Sequence, residues 1–201
     1  SFENFLADHH ELLRADVIVV ADSGNWNTET PALTTTLRGN ATFKLTVKTL
    51  DHALHSGMFG GAVPDAMTAT IKLLATLHDE KGEVAVAGLH STKASDLDYS
   101  EAQLRTDSGL LDGVSMIGEG SILDRIWTKP SITVIGIDAM SVAMSSNTLF
   151  PSVKAKISMR IAPGQEPEQA LALLRTHLLE NAPFGAKVTF GDIELGKPFE
   201  A

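Results

Sequence analysis

Cysteine is absent from all 201 residues, which excludes disulfides and every zinc ribbon or finger built on thiolates. A metal bound here has to be held by His, Asp or Glu. Long apolar runs are missing too: the longest candidate, Ile132 to Met144, is cut by Asp138 and falls short of the ~18 residues that a membrane-spanning helix needs. Positive charge is scarce and scattered. With 16 Lys and Arg against 25 Asp and Glu, the net charge is -9 and the pI near 5.2, so the clustered cations that nucleic acid or an anionic membrane surface attracts are lacking. The expected partners are small molecules and other proteins, with no nucleic acid and no membrane, and the composition suits the cytoplasm. There is no internal repeat and no low-complexity tract. The chain opens at Ser1 without an initiator Met or a signal-like segment, which reads as a fragment or a processed piece.

What is present supports one large domain, or one domain plus part of another: 43% of the residues are hydrophobic. Leu6 to Arg14 reads as a helix end. The unbroken apolar run Val17 to Val20, between Asp16 and Asp22, reads as a strand buried on both faces. Ser23 to Thr36 has no periodicity and is rich in Ser, Gly, Asn, Thr and Pro, so it reads as a linker with a domain boundary near Pro31.

The pattern then changes to strict alternation. Ala41, Phe43, Leu45 and Val47 share one face against Thr42, Lys44, Thr46 and Lys48; Val153, Ala155, Ile157, Met159 and Ile161 do the same against Lys154, Lys156, Ser158 and Arg160. Ile132 to Ile137 and Lys187 to Ile193 are two further strands. Helical spacing of Val63, Met67, Ile71 and Leu74, with Pro64 in the first turn and Gly82 at the end, predicts a first amphipathic helix. Pro167, the stripe Leu171, Leu174 and Leu178, and the stop signals Asn181 and Pro183 predict a second. Strand, helix, strand, strand, helix, strand is the order of an α+β ferredoxin-like two-layer sandwich, a four-stranded antiparallel sheet with both helices on one face. Residues 1–32 stand apart as a short α/β piece, 33–195 form the sandwich, and 196–201 lead away. Glu83 to Trp127 does not fit the unit and reads as an insertion, with Tyr99 to Leu111 able to form a helix.

Three places carry residues suited to chemistry. Asp22 ends the buried strand, where ligands gather in open α/β sheets; a carboxylate there can bind a cation or simply cap the turn. The loop Asp51-His52-Ala53-Leu54-His55-Ser56-Gly57-Met58-Phe59-Gly60-Gly61 joins the first strand to the first helix. Its glycines permit close backbone approach, and a helix start behind them would favour an anion. A glycine-rich turn with solvated histidines is the plainer reading. No G-x-S-x-G elbow surrounds Ser56, so serine catalysis is rejected, and His52 with His55 is a weak metal signal. Third, Asn147 and Arg160 combine a neutral donor with a planar fork able to grip a carboxylate; in isolation Arg160 is an exposed strand arginine.

In this order, VVADSGNW, LRGNATFKLTVKTLDHALHSGMFGG, WTKPSITVIGI and NTLFPSVKAKISMRIAPGQEP resemble the zinc-dependent exopeptidase family of aminoacylase, carnosinase-like cytosolic dipeptidases, acetylornithine deacetylase and succinyl-diaminopimelate desuccinylase. The insertion and the Trp127-Thr128-Lys129-Pro130 run look closest to the dipeptidase branch. The resemblance implies a catalytic α/β domain with two zinc ions and an inserted ferredoxin-like domain that serves as lid and pairs subunits in a homodimer. It makes Asp22 a zinc ligand and His55 a donor to the oxyanion in the partner subunit's site. Asn147, Arg160, Gly60 and Gly61 would bind a short peptide, Arg160 taking its terminal carboxylate. The family's His-x-Asp motif, bridging Asp, Glu-Glu pair and late His ligand have no counterparts, and His9-His10-Glu11 does not replace them, so the chain alone is expected to be inactive. A free-standing ferredoxin-like module for oligomerisation or small-ligand binding, and an N-acyl-amino-acid deacylase of the same family, are the alternatives.

Overall fold

A computed structural model describes residues 2–19 and 26–201. It divides into two units, one up to Thr34 and one from Thr35 to Ala201. In the first, Phe2–Asp8 and His10–Leu13 are helical. The expected buried strand is not found there: Val17, Ile18 and Val19 are exposed and pair with no described strand. Burial on both faces needs a strand on either side and layers above and below, and among the described residues none flanks or covers these three. Val20 and Asp22 lie outside the described residues.

The second unit is the predicted sandwich. Its strands are β1 (Gly39–Lys48), β2 (Ser131–Asp138), β3 (Ser152–Ile161) and β4 (Lys187–Gly196), in the antiparallel order β2-β3-β1-β4. Phe43 lies opposite Ile157 and Leu45 opposite Ala155, so the alternating apolar residues of both central strands fall on one face and are buried. Against that face pack helices α1 (Ala66–Ala75) and, beyond a helix α2 (Glu101–Ser108) in the insertion, α3 (Pro167–Glu180). α1 covers β1 and β3; α3 covers β1 and β4. Burying each large side chain of this core contributes ~1.5–3 kcal/mol, which decides the register, because a one-residue slip would turn the whole set to water.

α3 follows its pattern, with Leu171, Leu174 and Leu178 buried. α1 does not. It starts at Ala66, after Pro64, with the Asp65 carboxylate capping the Thr68 N–H at 3.0 Å, and it ends well before Gly82. Its buried residues are Ala66, Ala69, Thr70 and Leu73, while Ile71 is 58% exposed. Small residues let the helix lie close to the sheet, and a stripe drawn through the largest apolar side chains misses that face.

The insertion folds back onto the start of β2. Lys129 pairs with Glu83 at 2.8 Å, Asp124 accepts the Ala94 N–H at 2.7 Å, and the buried Gln165 side chain accepts the His90 N–H at 3.0 Å. Past β4, Phe199–Glu200 pairs antiparallel with Thr36–Leu37.

Candidate active site

His55 sits in a two-residue ribbon, Leu54–His55 against Thr148–Leu149. The Ser56 N–H donates to the Asn147 carbonyl at 2.9 Å, and the Thr49 N–H to the Pro151 carbonyl at 3.0 Å. These bonds fasten the histidine loop to the segment between β2 and β3. The sequence therefore contains, 92 positions apart, two residues that the fold makes neighbours: His55 and Asn147, both exposed. His55 caps the short helix Ser56–Phe59, its Nδ1 accepting the Gly57 N–H at 3.1 Å. An acceptor role for Nδ1 leaves the proton of the neutral ring on Nε2, so the imidazole offers an N–H donor on its outer side.

His52 is engaged elsewhere, 2.7 Å from the Asp51 carboxylate, whose pKa it lowers by hydrogen bonding and charge. The two histidines do not form a metal pair. The expectation of an anion-binding helix start fails as well: only one turn of helix follows His55, and the N-terminus of α1 is already capped by the Asp65 carboxylate.

Gly60 and Gly61 have structural reasons to be glycine. A Cβ on Gly60 would collide with the Ser56 carbonyl oxygen, which accepts the Gly60 N–H at 2.7 Å, and Gly61 holds φ at +88°.

Arg160 is not brought to this place. It lies opposite Asn40 on β1 and Ser131 on β2, at the end of β3 far from Ser152. Eight residues of strand from Ser152 to Arg160 span roughly 26 Å. The ribbon joins the Ser152 end, so His55 with Asn147 and Arg160 stand at opposite ends of one sheet. Sequence reading grouped the three; strand direction separates them.

At the Arg160 end, one residue was missed. Arg38, just before β1, donates from Nη1 to the Lys129 carbonyl (3.2 Å) and to Ser131 Oγ (3.3 Å). Burial, and then the charge of Arg160, lower its pKa from the ordinary arginine value. It also lines a cleft of about 540 Å³ between the β2 edge and the insertion, walled by Leu104, Ile117 and Ile126. The only signal in the sequence is an arginine directly preceding an alternating run.

Among the described residues no three His, Asp or Glu side chains are grouped as a metal site requires. They do not by themselves fit a zinc ion, and Asp22 is outside them. No helix of the described residues is long and apolar enough to cross a membrane.

The chain belongs to the family of the peptidase dimerisation domain of M20 peptidases, whose model matches residues 35–186. It is similar to dipeptidases of that family: it is 35% identical over 192 residues to the cysteinylglycine-S-conjugate dipeptidase of Corynebacterium striatum, covering 94% of this chain and 42% of that protein. It is 27% identical over 173 residues to the Cys-Gly metallodipeptidase of Saccharomyces cerevisiae, covering 81% and 36%. The crystal structure of human carnosine dipeptidase 1 has the same fold, with a TM-score of 0.79 at 23% identity over 99% of this chain and 45% of that one. The chain spans about two fifths of the length of the curated relatives it matches.

Proposed function

We propose that this chain is the lid and dimerisation part of a metal-dependent dipeptidase acting on short peptides, and that each active site draws on two subunits. The observation that carries this reading is the placement of His55 and Arg160 at opposite ends of the same sheet. No single lid can bring both to one short substrate. An antiparallel pair of lids can.

The open edge of β2 suits that pairing. Ile135 and Ile137 on β2 and Ile71 on the neighbouring α1 are exposed, and an unpaired edge strand is a template for another chain. In a two-fold dimer joined edge to edge, β2 of one subunit runs antiparallel to its copy. The Asp138 end of one lid, near its His55 ribbon, then lies beside the Ser131 end of the other, near its Arg160.

In that site Arg160 takes the terminal carboxylate of the peptide with its planar fork. His55 of the partner subunit donates from Nε2 to the oxyanion that develops on the scissile carbonyl, with Asn147 beside it as a second donor. Gly60 and Gly61 let the backbone next to His55 approach the peptide. The relatives' metallodipeptidase names support a metal, zinc by family resemblance, with Asp22 among its ligands; the bound ion would supply the activated water. The chain alone lacks the remaining ligands and base and is inactive. A cysteine-free acidic composition fits a cytoplasmic enzyme.

Turnover by the full-length protein tests this. Dipeptides should be hydrolysed in preference to N-acyl amino acids, and His55→Ala should lower kcat on the order of a hundredfold, as loss of one oxyanion donor does, with only the small fall in Tm that loss of its cap on Gly57 brings. A preference for N-acyl amino acids, or full activity in His55→Ala, would overturn it.

A further inference from the structure

Arg38 and Arg160 form a like-charge pair that no described carboxylate neutralises. Arg38 Nη1 is 3.3 Å from Ser131 Oγ, and Ser131 is the direct cross-strand partner of Arg160, so both guanidinium groups converge on one corner of the sheet. Many lysines and arginines of the chain have no acidic partner, but Arg38 is set apart because the charge that acts on it is that of a second arginine, Arg160. Arg38 is also half-buried, and a buried charge without a counterion is costly. Such an arrangement is explained by an anion that arrives with a ligand.

We propose that Arg38 is a second substrate-binding arginine, which together with Arg160 grips the C-terminal carboxylate of the peptide at the mouth of the cleft that Arg38 lines. The inference rests on the reading of Arg160 given above. Nη1 is held by the Lys129 carbonyl and Ser131 Oγ, which fixes the plane of the fork. Nε and Nη2 make no hydrogen bond within the described chain and remain for the ligand. A lysine, with one ammonium, cannot hold the Lys129 carbonyl and present a fork at the same time. Arg38 thus sets a preference for a free carboxylate over a neutral end.

The test compares a dipeptide with its C-terminal amide as substrates of the full-length enzyme. Wild type should favour the free acid, and Arg38→Gln should reduce that acid-over-amide ratio in kcat/KM by about ten- to a hundredfold, mostly through KM for the acid, with a much smaller loss on the amide. Arg160→Gln should do the same. If only Arg160→Gln reduces the ratio, the role of Arg38 is overturned and the dipeptidase reading stands. Equal losses on acid and amide in Arg38→Gln mean that it only supports the Lys129 turn, which also overturns the inference. A wild-type enzyme indifferent to acid and amide overturns the carboxylate role of both arginines. Should Arg38→Gln fail to fold, Arg38→Lys carries the test: a reduced ratio supports the bidentate grip, an unchanged one overturns it.

Discussion

The Ser56 N–H bonds to the Asn147 carbonyl at 2.9 Å, and this backbone link is what holds His55 beside a residue 92 positions further along the chain. Because Asn147 contributes its carbonyl, its side chain is free for another task. Asn147→Ala should therefore leave stability within about 0.5 kcal/mol of wild type, as exposed substitutions do. If the side chain is a donor to the substrate, the same variant lowers kcat/KM of the full-length enzyme. Thermal unfolding and steady-state kinetics on one preparation separate the two effects; a large fall in Tm would mean that the side chain is structural.

The paired glycines make contrasting predictions. Gly61 holds φ at +88° with open space around its Cα, so Gly61→Ala should cost roughly 1–2 kcal/mol from left-handed strain alone. Gly60 has an ordinary φ of -61°, yet an added Cβ meets the Ser56 carbonyl and the turn capped by His55 has to open. Gly60→Ala should thus impair activity more than Gly61→Ala, and amide exchange at Gly60 should rise.

Phe43 anchors the sheet, fully buried opposite Ile157 with its ring 5.7 Å from that of Phe190. Phe43→Ala should destabilise by about 3–5 kcal/mol, measured by denaturant midpoint at unchanged m-value. A cost under 1 kcal/mol would contradict the described core.

Glu83 fastens the insertion to β2 through Lys129. Burial raises its pKa, but the Glu119 N–H and the Lys129 ammonium outweigh that, and the net direction is down. A carboxyl with a folded pKa below its unfolded value, about 4.3, contributes stability that is fully present above that value and is lost as pH falls through the folded pKa. The Tm gap between wild type and Glu83→Gln should therefore be widest near neutrality and close below about pH 4. A gap that grows with acid would contradict the pairing.

Much of this was legible in the sequence because period-2 alternation survives in both central strands, and Leu171, Leu174 and Leu178 mark α3 without ambiguity. α1 was misread because its inward face is built from Ala66, Ala69 and Thr70, small residues that carry little hydrophobic signal, while the conspicuous Ile71 faces out. The separation of His55 from Arg160 follows only once the pairing of the two central strands is known, since it is their antiparallel register that sets the Ser152 end beside the histidine loop and carries Arg160 away from it. Arg38 was passed over because its significance lies in what surrounds it: a backbone carbonyl 91 positions away and a second arginine.

The shared active site is tested most directly by mixing subunits. Full-length His55→Ala and Arg160→Ala enzymes, each strongly impaired alone, are unfolded together, refolded and confirmed as mixed dimers. If the site takes His55 from one subunit and Arg160 from the other, each mixed dimer contains one intact site, and random pairing should restore about a quarter of the wild-type rate. If both residues serve the same subunit's site, every site carries one lesion. No recovery in confirmed mixed dimers would contradict the account.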